Sequence, residues 1–449
     1  MKRTLRKTIF WVHLVIGLAA GLVIAVVALT GAAMAFQPQI LEWAERDVRQ
    51  VTPLKSARLP VDTLLERVRE QNPDAQPFSV TLSSDPSAAA VVSLGRAGSL
   101  YVDPYTGDVK PSGAKNLREF FSLMLRLHRW LSVSSPNRTI ASPTSSGETP
   151  PSAPTEPSGT SWREIGSSIV GIATILFLAL SVSGIYLWWP RNWNWRTLKT
   201  TSALNFKLRG KARDWNWHNV IGLWSTPVLA ILCLTGIVMA YRPVGNWIYQ
   251  RPQGQSAGSL PPGVELPKPA VGARPLNRET LFTAAMTAVP NWETITLRTG
   301  QNRQRGGGAS GPGRSAAPHV ASFSVRETGS WAPVPVQVSV DPYTGAILHK
   351  EGFSDYGFRR ALRAMNLSLH MGTAGGIVGQ TIAFLACVGG LFLVYTGFAL
   401  SWRRFFGRRR PLPSPIKETR VISTTLVKPA AFPLGEKTAP PSVKSAAAN

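Results

Sequence analysis

The sequence WVHLVIGL, residues 11–18, returns in closely similar form as NWHNVIGL at residues 216–223. In both copies a histidine, His13 or His218, stands close to the start of an apolar stretch. An ionisable residue within an apolar segment of membrane length is rare and by default indicates a functional role. The repeat therefore points to an internal duplication and to a site that uses two histidines.

Apolar segments long enough to cross a membrane are spread over the chain of 449 residues. Four stretches lack Asp, Glu, Lys and Arg over the roughly 20 residues that a membrane helix needs: 9–36, 169–189, 220–241 and 377–400. The first resembles a signal peptide, but its apolar part exceeds the roughly 7–15 residues of such a signal, and its pattern recurs in mid-chain. We therefore predict four transmembrane helices, with the first one retained.

Positive charge is concentrated in three parts of the chain, which has a formal net charge of +25. Residues 1–8, 190–216 and 403–449 are rich in Lys and Arg and contain only three acidic residues. An excess of Lys and Arg marks the cytoplasmic side of a membrane protein. Both termini are therefore expected in the cytoplasm, and residues 37–165 and 242–370 outside. These basic segments favour contact with anionic membrane lipid over binding of nucleic acid.

The two outer segments follow one plan. Each has a helix-like stretch, several strand-like pieces, the turn sequence DPYTG at 103–107 or 341–345, and a helix-like segment that ends in Leu-x-Leu-His at 125–128 or 367–370. Each is therefore predicted to be a small α+β module with an antiparallel sheet. The architecture is two tandem copies of helix, outer module and helix, and both copies share one orientation in the membrane.

The predicted segments divide the chain as follows: 1–36 cytoplasmic N-terminus and transmembrane helix 1; 37–131 outer module 1; 132–164 Ser/Thr/Pro-rich tether; 165–189 transmembrane helix 2; 190–216 basic cytoplasmic loop; 217–241 transmembrane helix 3; 242–370 outer module 2 with a Gly/Arg-rich insertion at 301–316; 371–402 transmembrane helix 4; and 403–449 basic, disordered cytoplasmic tail.

Four of the six histidines occupy repeated positions: His13, His218, His128 and His370. Two imidazoles that face each other across a helix bundle are suited to bis-histidine ligation of haem iron. We expect one haem held by His13 with His218 and a second held by His128 with His370. A structural histidine at a helix interface would also be copied by duplication, so that alternative stays open. A proton relay or a zinc site would require carboxylates nearby, and the spans contain none.

Other residues complete this prediction. Small residues in register, Gly17 and Gly222, leave room for a flat macrocycle, and Arg126, Arg129 and Arg213 are candidates to bind its carboxylates. The remaining histidines, His319 and His349, are expected to be ordinary surface residues, and the two cysteines, Cys233 and Cys387, to be packing residues.

These motifs together resemble one family, the bacterial inner-membrane proteins that have PepSY domains and PepSY-associated transmembrane helices. The likeness rests on HxVIGL followed by TG, the paired DPYTG turns, LxLH, and SGIYLWWPR at 183–191, and it covers nearly the whole chain outside the tethers. It implies two periplasmic PepSY-like modules and, as in some members, ferric-siderophore reductase activity with two molecules of haem b. Carried over, the haem ligands are the four paired histidines.

The resemblance also sets the expected partners. A cytoplasmic or quinol donor supplies electrons, and a ferric siderophore or another ferric complex accepts them in the periplasm. PepSY modules are also linked with the regulation of peptidases, so a non-enzymatic membrane regulator, or a sensor of a periplasmic ligand, is the alternative function.

One distance is left open by the sequence. A continuous helix from His370 to Trp402 would be about 48 Å long at about 1.5 Å per residue, against a hydrocarbon core of about 30 Å. His370 then lies above the bilayer unless MGTAGG, residues 371–376, breaks the helix.

Overall fold

Most of the chain is covered by the computed structural model, which describes residues 2–73, 76–95, 98–133, 162–190, 194–249, 273–299, 320–330 and 334–407. The chain divides into two units, Met1–Phe405 and Phe406–Asn449, and nearly all described residues belong to the first. The greater part of the predicted tether, of the Gly/Arg-rich insertion and of the basic tail lies outside the described residues, as does His319.

Four helices among the described residues are long and apolar enough to cross a membrane, as predicted. They are α1 (Lys2–Met34), α6 (Trp162–Trp188), α8 (Gly210–Ala240) and α12 (Gly376–Phe405). The chain is a membrane protein. The helices between these spans are α2 (Gln37–Ala44), α3 (Arg46–Arg49), α4 (Val61–Gln71), α5 (Lys115–Trp130), α7 (Trp195–Ser202), α9 (Arg242–Tyr249), α10 (Arg278–Ala288) and α11 (Phe358–His370).

The four long helices form a bundle in the circular order α1, α6, α8, α12, in which each helix packs chiefly against its two neighbours. Helices α1 and α8 therefore lie on one diagonal and run parallel, while α6 and α12 lie on the other and run in the opposite direction. Residue contacts fix these directions: Ser183 of α6 bonds to His13 near the start of α1, and Gln380 at the start of α12 bonds to Ala35 just after α1.

Eight strands form one antiparallel sheet in the order β4-β3-β2-β1-β5-β6-β7-β8. The strands are β1 (Ser79–Ser83), β2 (Ala90–Ser93), β3 (Ser99–Val102), β4 (Val109–Pro111), β5 (Trp292–Arg298), β6 (Ala321–Glu327), β7 (Val336–Val340) and β8 (Ile347–Glu351). The two outer segments contribute four strands each and meet at β1 and β5, where Thr81 pairs with Thr296. The sequence predicts a sheet in each outer segment. In the structure the two sheets are joined into one by the pairing of β1 with β5.

Helices α4 and α10 cover one face of the sheet and share a single apolar core with it. Leu65 and Val68 of α4 and Phe282 of α10 are fully buried in this core, together with Val80 and Ile295 from the two central strands. Alternate residues of β1–β3 and β5–β7 point into the core, as expected for a sheet covered on one face.

Both DPYTG sequences form the predicted turns, between β3 and β4 and between β7 and β8. In each turn the aspartate side chain accepts a hydrogen bond from a backbone N–H two residues later, at 2.8 Å from Tyr105 to Asp103 and at 2.9 Å from Tyr343 to Asp341. The glycine that ends each turn has a positive φ, which glycine adopts without strain.

The helical segment that contains His370 is not continuous with the fourth membrane helix, because the helix breaks at residues 371–376. Helix α11 ends at His370, a short 3₁₀ turn spans Thr373–Gly375, and α12 begins at Gly376. Gly372 and Gly376 both have positive φ, at 73° and 59°. The break turns α11 back against α8, so that the histidine at its end reaches the bundle.

Candidate functional site: two facing histidine pairs

The four repeated histidines come together as two pairs, one at each end of the bundle. The ring centres of His13 and His218 are 6.5 Å apart, and those of His128 and His370 are 6.1 Å apart. Metal–imidazole bonds of about 2.0–2.1 Å place the ring centres of two ligands on opposite sides of one metal ion about 6 Å apart. Both pairs therefore have the spacing that a shared iron requires.

The pair at the start of α1 and α8 joins the two diagonal helices, and the other diagonal supplies its support. Nδ1 of His13 lies 2.8 Å from Oγ of Ser183 on α6, and Nδ1 of His218 lies 2.8 Å from Oγ1 of Thr396 on α12. Each hydroxyl donates its proton to the carbonyl oxygen four residues earlier, at 2.7 and 2.6 Å. The hydroxyl must then accept the hydrogen bond, so both Nδ1 atoms carry the proton.

The pair at the other end is held in the same way. Nδ1 of His128 lies 3.0 Å from Oγ1 of Thr30, and Nδ1 of His370 lies 3.0 Å from Oγ1 of Thr235. The same nitrogens also donate to the carbonyl oxygens of Val27 and Leu232, at 3.0 and 3.1 Å. Since a carbonyl oxygen can only accept, these rings too are protonated at Nδ1.

A neutral imidazole with its proton on Nδ1 has a lone pair on Nε2, which is the form that binds a metal. Helices α5 and α11 are not among the four spans, and burial lowers the pKa of His128 there to about 4. Burial likewise lowers the pKa of His370 below its ordinary 6.5. Both rings are therefore neutral at neutral pH.

A glycine lies against each ring, directly after the hydroxyl residue that holds it. A Cβ atom on these glycines would lie 3.3–3.7 Å from Cε1 of the facing histidine, which is tight at Gly236 and ordinary van der Waals contact at the other three. The four dipeptides are Thr30-Gly31, Ser183-Gly184, Thr235-Gly236 and Thr396-Gly397. The hydroxyl thus orients the ring, and the glycine after it lies in contact with the Cε1 side of the same ring.

A cavity of about 670 Å³ surrounds His13 and His218. Its walls are mostly apolar and include both Gly17 and Gly222, as the sequence predicted, together with Phe177 and Phe398. This volume is within the range of about 300–1,000 Å³ that is typical of cofactor sites. The residues present fit a flat, largely apolar group held between the two imidazoles.

A family model that describes the PepSY-associated TM region matches residues 10–404, which is nearly the whole chain. The chain belongs to this family. The matched region includes all four paired histidines. A comparison with curated proteins gives no match.

One minor prediction about this PepSY-associated membrane protein is wrong. Arg213 is not at the cavity, because its guanidinium bonds to the buried carboxylate of Asp214 at 3.0–3.1 Å. His349 lies outside both pairs and is half-buried on the edge strand β8, with Nε2 3.6 Å from a carboxylate oxygen of Glu351. Arg126 bonds to Ser122, and Arg129 stacks on Trp130; both lie on α5 beside His128, and their binding of carboxylates stays a prediction.

Sequence reasoning also missed the residues that orient the rings. In the sequence, Thr30-Gly31 and Thr235-Gly236 serve only to mark the repeat. The sequence analysis assigns no histidine to the hydroxyls of Ser183 and Thr396. The signal was present, since a hydroxyl residue followed by glycine occurs in each of the four spans. Among the described residues no group of three or more His, Cys, Asp or Glu converges to hold a metal ion.

Proposed function

We propose that the protein is a haem-containing oxidoreductase of the bacterial inner membrane that passes electrons across the membrane to a ferric complex in the periplasm. A ferric siderophore is the expected acceptor, and its reduction releases the iron. A cytoplasmic or quinol donor supplies the electrons.

The facing histidine pairs carry this proposal. Four imidazoles, all with Nδ1 bonded and with Nε2 as the remaining ring nitrogen, lie in two pairs whose ring spacing suits a shared iron. A purely structural histidine between helices would not need a partner imidazole at this distance. The distance between the two pairs adds support. Thr30, which bonds to His128, follows His13 by 17 residues on α1, a rise of about 26 Å. The two sites therefore sit near opposite edges of a hydrocarbon core about 30 Å thick.

Each part of the chain has a defined task in this proposal. The hydroxyls of Ser183, Thr396, Thr30 and Thr235 keep the proton on Nδ1 and so keep Nε2 available. The largely apolar cavity around His13 and His218 would receive the flat body of the macrocycle. Haem iron, when bound by two histidines, takes up and releases single electrons. In this proposal the donor is a separate molecule, either a cytoplasmic reductant or a quinol.

The orientation follows from charge. Both termini and the basic loop before α8 lie in the cytoplasm, and the two PepSY-like modules, α4 with β1–β4 and α10 with β5–β8, lie in the periplasm. The His13–His218 pair is then the one that receives electrons, and the His128–His370 pair is the one nearest to the ferric acceptor.

Absorption spectroscopy of the purified full-length protein tests the proposal. We expect a Soret band and two haems per chain by extraction. His218→Ala and His370→Ala are each expected to retain one haem, and the double variant none. His349→Gln, which alters a histidine outside both pairs, is the matched control and should retain both haems.

Activity is tested separately, by mixing the dithionite-reduced protein with a ferric hydroxamate and following re-oxidation of the haem bands. Re-oxidation with release of Fe(II) is expected for the wild type. A folded, colourless protein would contradict haem binding and favour the peptidase-regulator alternative, whereas a pigmented protein that ferric complexes do not re-oxidise would contradict reductase activity.

A further inference from the structure

The cavity around His13 and His218 has a strongly basic end. Four of the residues that line it are cations: Arg6, Lys7, Lys211 and Arg404. Arg6 and Lys7 lie at the start of α1, Lys211 lies at the start of α8, and Arg404 lies at the end of α12. Because α1 and α8 run parallel and α12 runs opposite to them, all four side chains belong to the same end of the bundle.

The rest of the cavity is of a different character. No Asp or Glu is among the described residues that line it. Its deeper part is formed by apolar side chains and glycines, which include Gly21, Ile24 and Phe177. The cavity therefore has a long apolar body with the two imidazoles in it and a cationic rim at one end.

The partners of the cations favour an anion at this rim. Arg6 donates to the carbonyl oxygen of Leu187, and Arg404 stacks over the rings of Phe10 and Trp11, at 4.8 Å from each ring centre. None of these partners neutralises a charge. The N-termini of α1 and α8 add the positive ends of two helix dipoles. Several positive charges without an acid on the cavity wall attract negative charge strongly.

We propose that this cationic rim binds the carboxylate groups of the macrocycle held by His13 and His218, an inference that rests on the proposed function. Haem b combines a flat apolar body with two carboxylates on one edge, and the cavity has the same division. The carboxylate edge thus points toward the ends of α1 and α8 that carry Arg6, Lys7 and Lys211, and the apolar edge points toward Phe177. The rim would thereby set how the macrocycle is rotated between the imidazoles.

Reconstitution with an esterified haem tests this assignment directly. Haem b and its dimethyl ester have the same iron and the same apolar body, but the ester has no carboxylate charge. The full-length chain with His370→Ala, which leaves only the His13–His218 site, is prepared without haem in a neutral detergent free of anionic lipid. The dissociation constants of both compounds are then measured by Soret absorbance.

We expect this protein to bind haem b about 10-fold more tightly than the ester, as the loss of one or two partly exposed ion pairs predicts. Lys7→Met/Lys211→Met should reduce this preference to about twofold or less without changing the affinity for the ester. Lys207→Met, which removes an exposed lysine that does not line the cavity, is the matched control and should keep the full preference. Unchanged affinity for the ester also shows that the variant is folded.

Equal binding of the two compounds by the protein with both lysines would overturn the inference while leaving the proposed function intact. A preference that survives Lys7→Met/Lys211→Met and Arg404→Met together would overturn it as well. If neither compound binds, the histidine pair is not a haem site, and the proposed function fails with the inference.

Discussion

At the scale of single residues, a hydroxyl group on one of the four long helices determines which ring nitrogen of each imidazole carries the proton. Ser183 donates to a helical carbonyl oxygen at 2.7 Å and must therefore accept from His13. The same logic applies to Thr396 and His218. Groups that hydrogen-bond to a ligating histidine fix its tautomer and raise its basicity. We therefore expect loss of one of the four hydroxyls to weaken a site, and loss of a histidine to abolish it.

Ser183→Ala tests this role with almost no change in volume. We expect haem at the His13–His218 site to be held about 10-fold or more weakly. We also expect its reduction potential to rise, because an imidazole without this hydrogen bond donates less electron density to the iron and stabilises the ferric state less. Haem titration and redox potentiometry measure both effects.

Ser181→Ala is the control for this substitution. Ser181 is on the same helix and lines the same cavity, but its hydroxyl bonds only to the carbonyl oxygen of Phe177 among the contacts described. It should leave the affinity and the potential unchanged. Identical behaviour of the two serine variants would contradict a role for Ser183 in orienting His13.

At the scale of elements, the break between α11 and α12 brings His370 into the bundle. Gly372 has φ +73°, and a Cβ at this position would lie 2.6 Å from the carbonyl oxygen of Gly379. Only glycine fits there without distortion. The turn allows α11 to pack along α8, and His370 then reaches Thr235 and the carbonyl oxygen of Leu232.

Gly372→Ala is therefore expected to disrupt the His128–His370 site. The left-handed conformation alone costs about 1–2 kcal/mol for a residue with a side chain, and the backbone contact adds to that cost. We expect a lower unfolding temperature and loss of haem at this pair, with haem at His13–His218 retained. Circular dichroism and absorbance during heating report the two effects.

Gly375→Ala provides the comparison within the same turn. Gly375 does not have a positive φ, and an added Cβ would meet no atom within 4 Å. This variant should behave as the wild type. Equal loss of haem in the two variants would mean that the turn tolerates no substitution at all, and would contradict the special role of Gly372.

At the scale of the whole molecule, the two outer segments act as one body because they share a sheet and cap each other. The carboxylate of Asp62 on α4 accepts from the backbone N–H of Arg278 at 3.0 Å, and the carboxylate of Glu279 on α10 accepts from that of Val61 at 3.1 Å. Each helix thus supplies the cap for the other's N-terminus, where such acids are favourable.

A buried carboxylate joins this body to the helix that carries His128. Glu45, between α2 and α3, accepts hydrogen bonds from Arg49 and Arg118 and from the hydroxyl of Tyr101 on β3. Arg118 is on α5, ten residues before His128, a rise of about 15 Å. Burial alone would raise the pKa of Glu45, but the hydrogen bonds from Arg118, Arg49 and Tyr101 outweigh it and hold that pKa below its ordinary 4.5.

Glu45→Gln is expected to lower the free energy of unfolding by about 2–3 kcal/mol, less than for a fully buried pair because both arginines are partly exposed. Because the folded pKa is depressed, the ionised Glu45 contributes stability above pH 4.5, and this contribution is lost as the pH falls through the folded pKa. Wild-type unfolding temperatures should therefore drop below about pH 4.5 more steeply than those of the variant.

The exposed Glu42 on α2 supplies the control, and Glu42→Gln should leave the pH profile of the wild type unchanged. Thermal unfolding followed by circular dichroism across this pH range makes the comparison. Parallel profiles for the wild type and Glu45→Gln would show that the acid sensitivity arises elsewhere in the molecule.

Much of this architecture could be read from the order of amino acids. The four spans, the DPYTG turns and the paired positions of His13 with His218 and His128 with His370 follow from hydrophobicity, turn chemistry and the repeat. These are properties of short segments, or of one segment compared with another, and they hold wherever the segment lies in space. The assignment of haem to the pairs remains a prediction that rests on the same pattern.

Other features exist only because distant segments meet. The union of β1 with β5, the return of α11 along α8, the bonding of Ser183 to His13 and the gathering of Lys7, Lys211 and Arg404 at one cavity all depend on which helices share a diagonal or an edge. Hydrophobic periodicity tells which segments are buried, but several pairings bury the same apolar surface. Hydrogen bonds, steric fit at glycine and charge at the cavity distinguish among those pairings, and they act only when the chain is folded.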